Sequence, residues 1–224
     1  MNHFSPSTFF NLDNFAHKAL FDRVENIWEV FERVPKYLED FFARLPKNER
    51  IKGVVKSGSI LVGDDIYIGE GAKIESTAYI EGPAIIGQRS IVGTGAYIRG
   101  GTILGEHAIV GHCTEAKNTI MLNDSAAPHF NFIGDSILGN GVNIGAGVIL
   151  ANYRLDAKPI PVVDKSTGLV KFGAVLGDNV KIGCNSVTEP GVFLYPDSWI
   201  LPVTYLKRGL YGWGEKRSDL RKIL

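Results

Sequence analysis

Cysteine is nearly absent: the 224 residues contain two, Cys113 and Cys184. Their spacing makes neither a disulfide framework nor a zinc-ligand pattern, which favours a reducing compartment. An excess of either charge is also lacking, with 24 Lys plus Arg against 24 Asp plus Glu. No net field therefore steers the chain towards nucleic acid or an anionic membrane. No apolar run approaches the ~20 residues that span a bilayer. The opening MNHFSPSTFF has no basic start and no sustained apolar stretch, so no signal peptide is read. These absences lead to the expectation of a cytoplasmic protein with no nucleic-acid and no membrane partner. A hydrophobic content of 45% is ordinary for a chain that buries a core.

What the sequence does have is a period. From Val62 an aliphatic residue recurs every sixth position: Val62, Ile68, Ile74, Ile80, Ile86, Val92, Ile98, Leu104 and Val110. Neither a helix stripe nor an alternating strand has this spacing. Four places after each stands Ile66, Ala72, Ala78, Ala84, Ser90, Ala96, Thr102, Ala108 or Thr114, all small except the first. The pattern returns at Leu138, Ile144 and Leu150, and again at Leu176, Ile182, Leu194 and Ile200, with Thr188 in an aliphatic slot. A six-residue unit is a short strand and a turn onto a new face. Three units close a triangular coil whose narrow interior takes one large and one small side chain per edge. Coils stack by parallel pairing about 4.8 Å apart. The fold class predicted is all-β, a parallel β-helix.

The ends differ. Leu12, Ala16, Leu20, Val24, Ile27 and Phe31 fall at helical spacing, Pro35 is expected to end that helix, and a second short one follows through Leu38, Phe41, Phe42 and Leu45. Residues 1–50 are therefore read as an N-terminal helical cap over the first coil, with a partner-binding helix as the alternative. Residues 51–205 form the β-helix and 206–224 a C-terminal tail.

Two segments leave the repeat, residues 116–131 and 152–173, and are expected to be loops thrown out of the solenoid. Loops on a rigid scaffold are where recognition and catalysis concentrate. His129, in SAAPHFNFIGDS, is the candidate that composition offers, the alternative being a loop histidine satisfied by hydrogen bonds.

The runs EAK (115–117), HFNFIGDSILGNGVNIGAG (129–147) and ANY (151–153) resemble the acetyltransferase domain of the bifunctional N-acetylglucosamine-1-phosphate uridyltransferase/glucosamine-1-phosphate acetyltransferase family. The resemblance covers roughly residues 55–205 and implies a left-handed β-helix, a homotrimer with sites between subunits, and acetyl-CoA as co-substrate. It implies that His129 is the base that deprotonates a sugar 2-amine and that Glu115 orients it. The Ala146 N–H would stabilise the oxyanion. Arg99 and Lys117 would hold the sugar phosphate, Asn143 the amino sugar, and Asn152 and Tyr153 the substrate and coenzyme. Intervals of 18, 12, 14 and 9 residues from Arg99 through Lys117, His129 and Asn143 to Asn152 agree with the family. The family's nucleotidyltransferase half is not within this chain, so a separate nucleotidyltransferase is the partner expected.

Departures accompany the match. Phe132 stands where the family has a tyrosine on the phosphate, Cys184 where a serine is usual beside the coenzyme, and the coenzyme-binding arginine is matched only loosely by Lys207 or Arg208. Taken singly, each residue has a plainer reading. Arg99 could be a solvated coil residue, Lys117 and Glu115 a surface ion pair, Asn143 and Asn152 turn residues, and both cysteines buried or half-buried thiols. His107 and His112 have the separation but not the register of zinc ligands on such a fold, so no metal is assigned. A nucleotide-sugar acyltransferase and a catalytically silent trimeric scaffold are the alternative functions.

Overall fold

The computed structural model of the chain describes residues 3–213 and 220–222. It is a β-solenoid of about nine turns, the parallel β-helix that the hexads predict. Three faces are built from 8, 8 and 9 strands. The first runs from Val54–Val55 to Trp199–Ile200 and the second from Ile60–Val62 to Tyr205–Leu206. The third runs from Ile66–Ile68 to Gly209–Trp213, with antiparallel Leu220–Lys222 beyond it. Inward residues stack in register, as Ile80, Ile98, Ala116, Ile133, Leu150, Thr188 and Leu206 do on the second face.

Four expectations change. The first hexad is out of phase: Leu61 packs against the core and Val62 is 43% exposed, because the turn Gly63–Asp65 holds one residue more than the later ones. Residues 116–131 are not a loop. They contain strands Ile120–Met121 and Ala126–His129, with Ala116, Met121 and Ala127 pointing inward and fully buried. The rhythm breaks there because two corners are one residue short, giving five-residue steps from Ala116 to Met121 and from Ile133 to Leu138. Each corner turns on a single left-handed residue, Asn118 (φ 46°) and Asp135 (φ 47°), a conformation Asn and Asp tolerate. Parallel pairing also continues past residue 205, since Gly209–Trp213 pairs with Val192–Leu194 and Tyr211 is buried. The rest of the expected tail, residues 214–219 and 223–224, lies outside the described residues. Residues 152–173 do leave the coil and form the antiparallel hairpin Pro161–Val162/Lys165–Ser166.

The fourth change is at the N-terminus. The helix spans Val30–Arg44 and carries Pro35 inside it. Its buried face of Val30, Phe31, Val34, Leu38 and Phe42 offsets the ~3 kcal/mol that an interior proline costs. Before it the chain makes only the single helical turn Pro6–Phe9 and the short turns Lys18–Phe21 and Ile27–Glu29, because Phe4, Phe9, Phe10 and Phe15 are also buried and no single helical stripe could bury them all. The segment meets the first coil through Phe41 on Tyr67 and Arg50 on Asp65. It also runs along the outside of the third face, where Ile85, Ile103, Ile120, Ile137, Val175 and Phe193 are fully buried in its cluster. Each such side chain is worth roughly 1.5–3 kcal/mol once covered.

Candidate active site

His129 ends the strand Ala126–His129 at the corner between the first and second faces, in register with His112 one coil below. Its N–H donates to Asn131 Oδ1 at 3.2 Å, and its carbonyl accepts the Gly147 N–H at 3.1 Å. Asn131 is 3% exposed and also donates to Gly145 O at 2.7 Å. This buried amide therefore locks the backbone on both sides of the corner, a role that sequence spacing did not reveal. The residue after the histidine, Phe130, is left-handed (φ 53°), which costs a bulky residue about 1–3 kcal/mol. Among the described residues the His129 ring has no hydrogen-bond partner, and it is exposed.

One coil above, at about 4.8 Å spacing, the same corner carries Ala146, and the coil after that carries Cys184. Asn185 N–H donates to Ala146 O at 2.8 Å, while the Ala146 N–H has no acceptor among the described residues. Both cysteines are exposed rather than buried, because each stands on this outward corner. Cys113 Sγ lies 3.5 Å from His112 Nε2.

The cations lie along the second face. Arg99 and Lys117 are register partners on neighbouring coils. Arg99 Nη1 donates to Glu115 Oε1 at 3.0 Å, and its guanidinium lies 5.6 Å from the Tyr97 ring centroid. Glu115 is thus held by Arg99 and not, within this chain, by His129. Lys117 pairs with Asp135 at 3.9 Å, not with Glu115. Burial lowers the Lys117 pKa, Asp135 opposes that, and Lys171 and Arg99 push it further down. Lys171, which the sequence reading passed over, is therefore the third cation beside this site. It is brought there by its bridge to Tyr153.

The short corners build a ladder. Asp135, 5% exposed, accepts Asn118 Nδ2 at 2.8 Å and Asn152 Nδ2 at 2.5 Å. Gly134 leaves the room for this, since a Cβ there would lie 2.4 Å from Asn152 Nδ2. Phe132 is the register partner of Glu115, half-buried between His129 and this ladder. Tyr153, 47% exposed, lines a pocket of about 350 Å³ with Arg154, Glu189, Tyr205 and Arg208. That places Arg208, and not Lys207, among the pocket residues beside Tyr153.

One chain therefore gathers His129 with Ala146 at one corner, and Arg99, Lys117, Asp135, Asn152 and Lys171 at the other edge of the second face. Asn143 stands apart, exposed on the first face in register with Ala126 and Lys181. Among the described residues no helix is long and apolar enough to cross a membrane.

A family model described as bacterial transferase hexapeptide (six repeats) matches residues 65–100. A bifunctional protein GlmU of Methanocaldococcus jannaschii is 39% identical over 218 residues, covering 82% of this chain and 53% of that protein. A bifunctional sugar-1-phosphate nucleotidylyltransferase/acetyltransferase of Sulfurisphaera tokodaii is 37% identical over 161 residues, covering 70% of this chain and 40% of its own length. A bifunctional protein GlmU of Methanococcus aeolicus is 42% identical over 90 residues, covering 39% of this chain and 22% of that protein. The chain thus spans about half the length, or less, of these relatives.

Proposed function

From a chain that is a hexapeptide-repeat transferase of the GlmU acetyltransferase-domain kind, we propose an acetyl-CoA-dependent N-acetyltransferase acting on an amino-sugar phosphate such as glucosamine-1-phosphate. The observation that carries this reading is the corner where the His129 imidazole stands one coil from the N–H of Ala146, both without a hydrogen-bond partner among the described residues. These are a base and an oxyanion donor at the spacing of one coil. His129 takes a proton as the amine nitrogen attacks the thioester carbonyl, and the carbonyl oxygen, now anionic, accepts from the Ala146 N–H. The C–S bond then breaks, the acetyl group stays on nitrogen, and the coenzyme leaves as a thiolate that takes up a proton. Arg99, Lys117 and Lys171 meet the phosphate dianion. Phe132 gives that phosphate no hydroxyl, and the third cation at Lys171 offsets the loss.

The same reading includes a homotrimer. The third face is covered by the N-terminal segment, but the first and second keep exposed apolar residues, including Ile60, Val187, Trp199 and Tyr205. A first face set against a neighbour's second face brings Asn143 of one copy to the cations of the next. A rotation that closes after three copies leaves neither apolar face open.

The test is free-thiol release from acetyl-CoA by the purified protein, with glucosamine-1-phosphate, galactosamine-1-phosphate and free glucosamine as acceptors. Turnover with a phosphorylated amine is expected, and replacing His129 by Ala should cost about 10²–10⁴-fold in rate with the fold unchanged. No turnover with any acceptor, from a folded oligomer, would replace the enzyme reading with that of a silent scaffold.

A further inference from the structure

The N-terminal segment and the 152–173 excursion are far apart in sequence yet share one aromatic cluster. Phe172 is fully buried, its ring centroid 6.0 Å from that of Phe31 and 5.7 Å from that of Phe193. A second tie joins the hairpin to the segment, since Lys165 Nζ donates to Asn26 Oδ1 at 3.0 Å and lies 5.6 Å from the Phe4 ring centroid.

The backbone around Phe172 meets the site on the other side. Its N–H donates to Asn152 O at 2.9 Å, and the Gly173 N–H donates to Asp135 O at 2.8 Å. Gly173 admits no side chain, because a Cβ would lie 2.1 Å from Ser136 Oγ and 2.2 Å from Gly134 O. The residue before Phe172 is Lys171, bridged to Tyr153. Residues 171–173 are thus pinned at two points, by ring packing beneath the N-terminal segment and by hydrogen bonds to the Asp135–Asn152 ladder.

We infer that the N-terminal segment is a positioning element for the acceptor site, holding Lys171 and Asn152 in place through the packing of Phe31 on Phe172. The inference rests on the acceptor reading given above. Three cations close together repel one another, and Lys171 stands on an excursion outside the repeat, held to the coils only through the bridge to Tyr153 and the two neighbouring amides. Its place beside Lys117 depends on what clamps Phe172, and the first turn of the Val30–Arg44 helix, through Phe31, closes that clamp against Phe193 of the third face.

The experiment compares the full chain with Phe31→Ala and with the milder Phe31→Leu, which keeps an apolar filler and loses the ring edge. Lys165→Ala serves as a surface variant that cuts only the second tie. Two quantities are read: amide hydrogen exchange at Phe172 and Gly173, and the ratio of kcat/KM for glucosamine-1-phosphate to that for free glucosamine. The expected result is faster exchange at both amides and a ratio lowered about tenfold, the scale of one misplaced charge-assisted contact. KM for the phosphorylated acceptor should rise by more than the KM for acetyl-CoA, which Asn152 also touches in this reading, with kcat unchanged. Faster exchange with an unaltered ratio would overturn the inference and leave the segment as a cover for the third face. A wild-type protein indifferent to the acceptor's phosphate would overturn the acceptor reading itself, and the inference with it.

Discussion

Asn152 donates its side-chain amide to the buried carboxylate of Asp135 at 2.5 Å, and the same carboxylate is the counter-charge of Lys117 at 3.9 Å. One acid therefore sets both the orientation of an expected coenzyme and substrate contact and the electrostatics of an expected phosphate contact. Replacement by the isosteric amide is expected to disturb both. In Asp135→Asn the Nδ2 of Asn152 faces a donor or a neutral oxygen, and Lys117 loses its neutralising partner. Breaking such a buried charged hydrogen bond costs about 1.5–3 kcal/mol. The expected outcome is a kcat/KM reduced by about one to two orders of magnitude, with KM values for both substrates altered. Steady-state kinetics beside a thermal melt check it. A variant that merely melts earlier while both KM values hold would make Asp135 structural only.

Lys117 ties the chemistry to pH. Burial lowers its pKa from the ordinary 10.5, and the neighbouring Lys171 and Arg99 add to that. Only the protonated amine attracts a phosphate dianion, so acceptor affinity is expected to be full at neutral pH and lost as pH rises. The loss should set in below the range where an unperturbed lysine titrates. Lys117→Arg keeps its charge throughout, because a guanidinium does not deprotonate in proteins. A profile of KM for glucosamine-1-phosphate from pH 7 to 10 should rise for the wild type and stay flatter for the variant. Identical profiles would assign the alkaline limb to another group.

How far the residues could be read in advance follows from which contacts are local. The coil period is written in Ile68, Ile74 and Ile80 because each inward slot recurs at a fixed count. The five-residue corners escape the pattern because Ala116, six places after Val110, is small, and the next inward residue, Met121, follows after five places while a fixed six-residue comb falls on Leu122, which is also buried but on the outer side of the third face. Ile103 and Ile120 follow or precede inward residues and so read as ordinary strand doublets, yet they mark the face that the N-terminal segment covers. Lys171 has no local signature at all. Its neighbour Lys117 lies 54 residues earlier in the chain, and the bridge to Tyr153 with the adjoining backbone bonds brings them together. Arg99, Lys117 and Asn152 were legible as a set through family spacing, but Glu115 was assigned to His129 when its carboxylate is taken by Arg99, a choice between two nearby partners that spacing cannot make.

His17 links the N-terminal segment to acid stability. It is 8% exposed, bonded to Tyr37 Oη at 2.8 Å, and burial takes its pKa down to about 4. The folded state therefore holds it neutral while the unfolded chain protonates it near 6.5. Between these values the unfolded state binds more protons, so stability rises with pH. The contribution is complete above about pH 6.5 and falls away towards pH 4, a loss of about 3 kcal/mol for one such group. Urea unfolding at pH 7 and pH 4.5 should show a smaller acid loss in His17→Gln than in the wild type. Equal losses would mean that His17 titrates normally and that its pocket admits water.

Thr188 occupies an inward slot between Leu150 and Leu206 on the second face, and it is fully buried. Among the described residues its hydroxyl has no hydrogen-bond partner. An unpaired buried hydroxyl costs about 1–3 kcal/mol, whereas a methyl of the same shape would meet an apolar surround. Thr188→Val is therefore expected to raise stability by about 1 kcal/mol, seen as a higher urea midpoint with the same slope. The site lies two coils beyond the strand of Phe132, so acetyl transfer should not change. A lower midpoint would show that the hydroxyl is satisfied inside the solenoid, by an enclosed water bonded between the coils, and that the interior is not dry at this level.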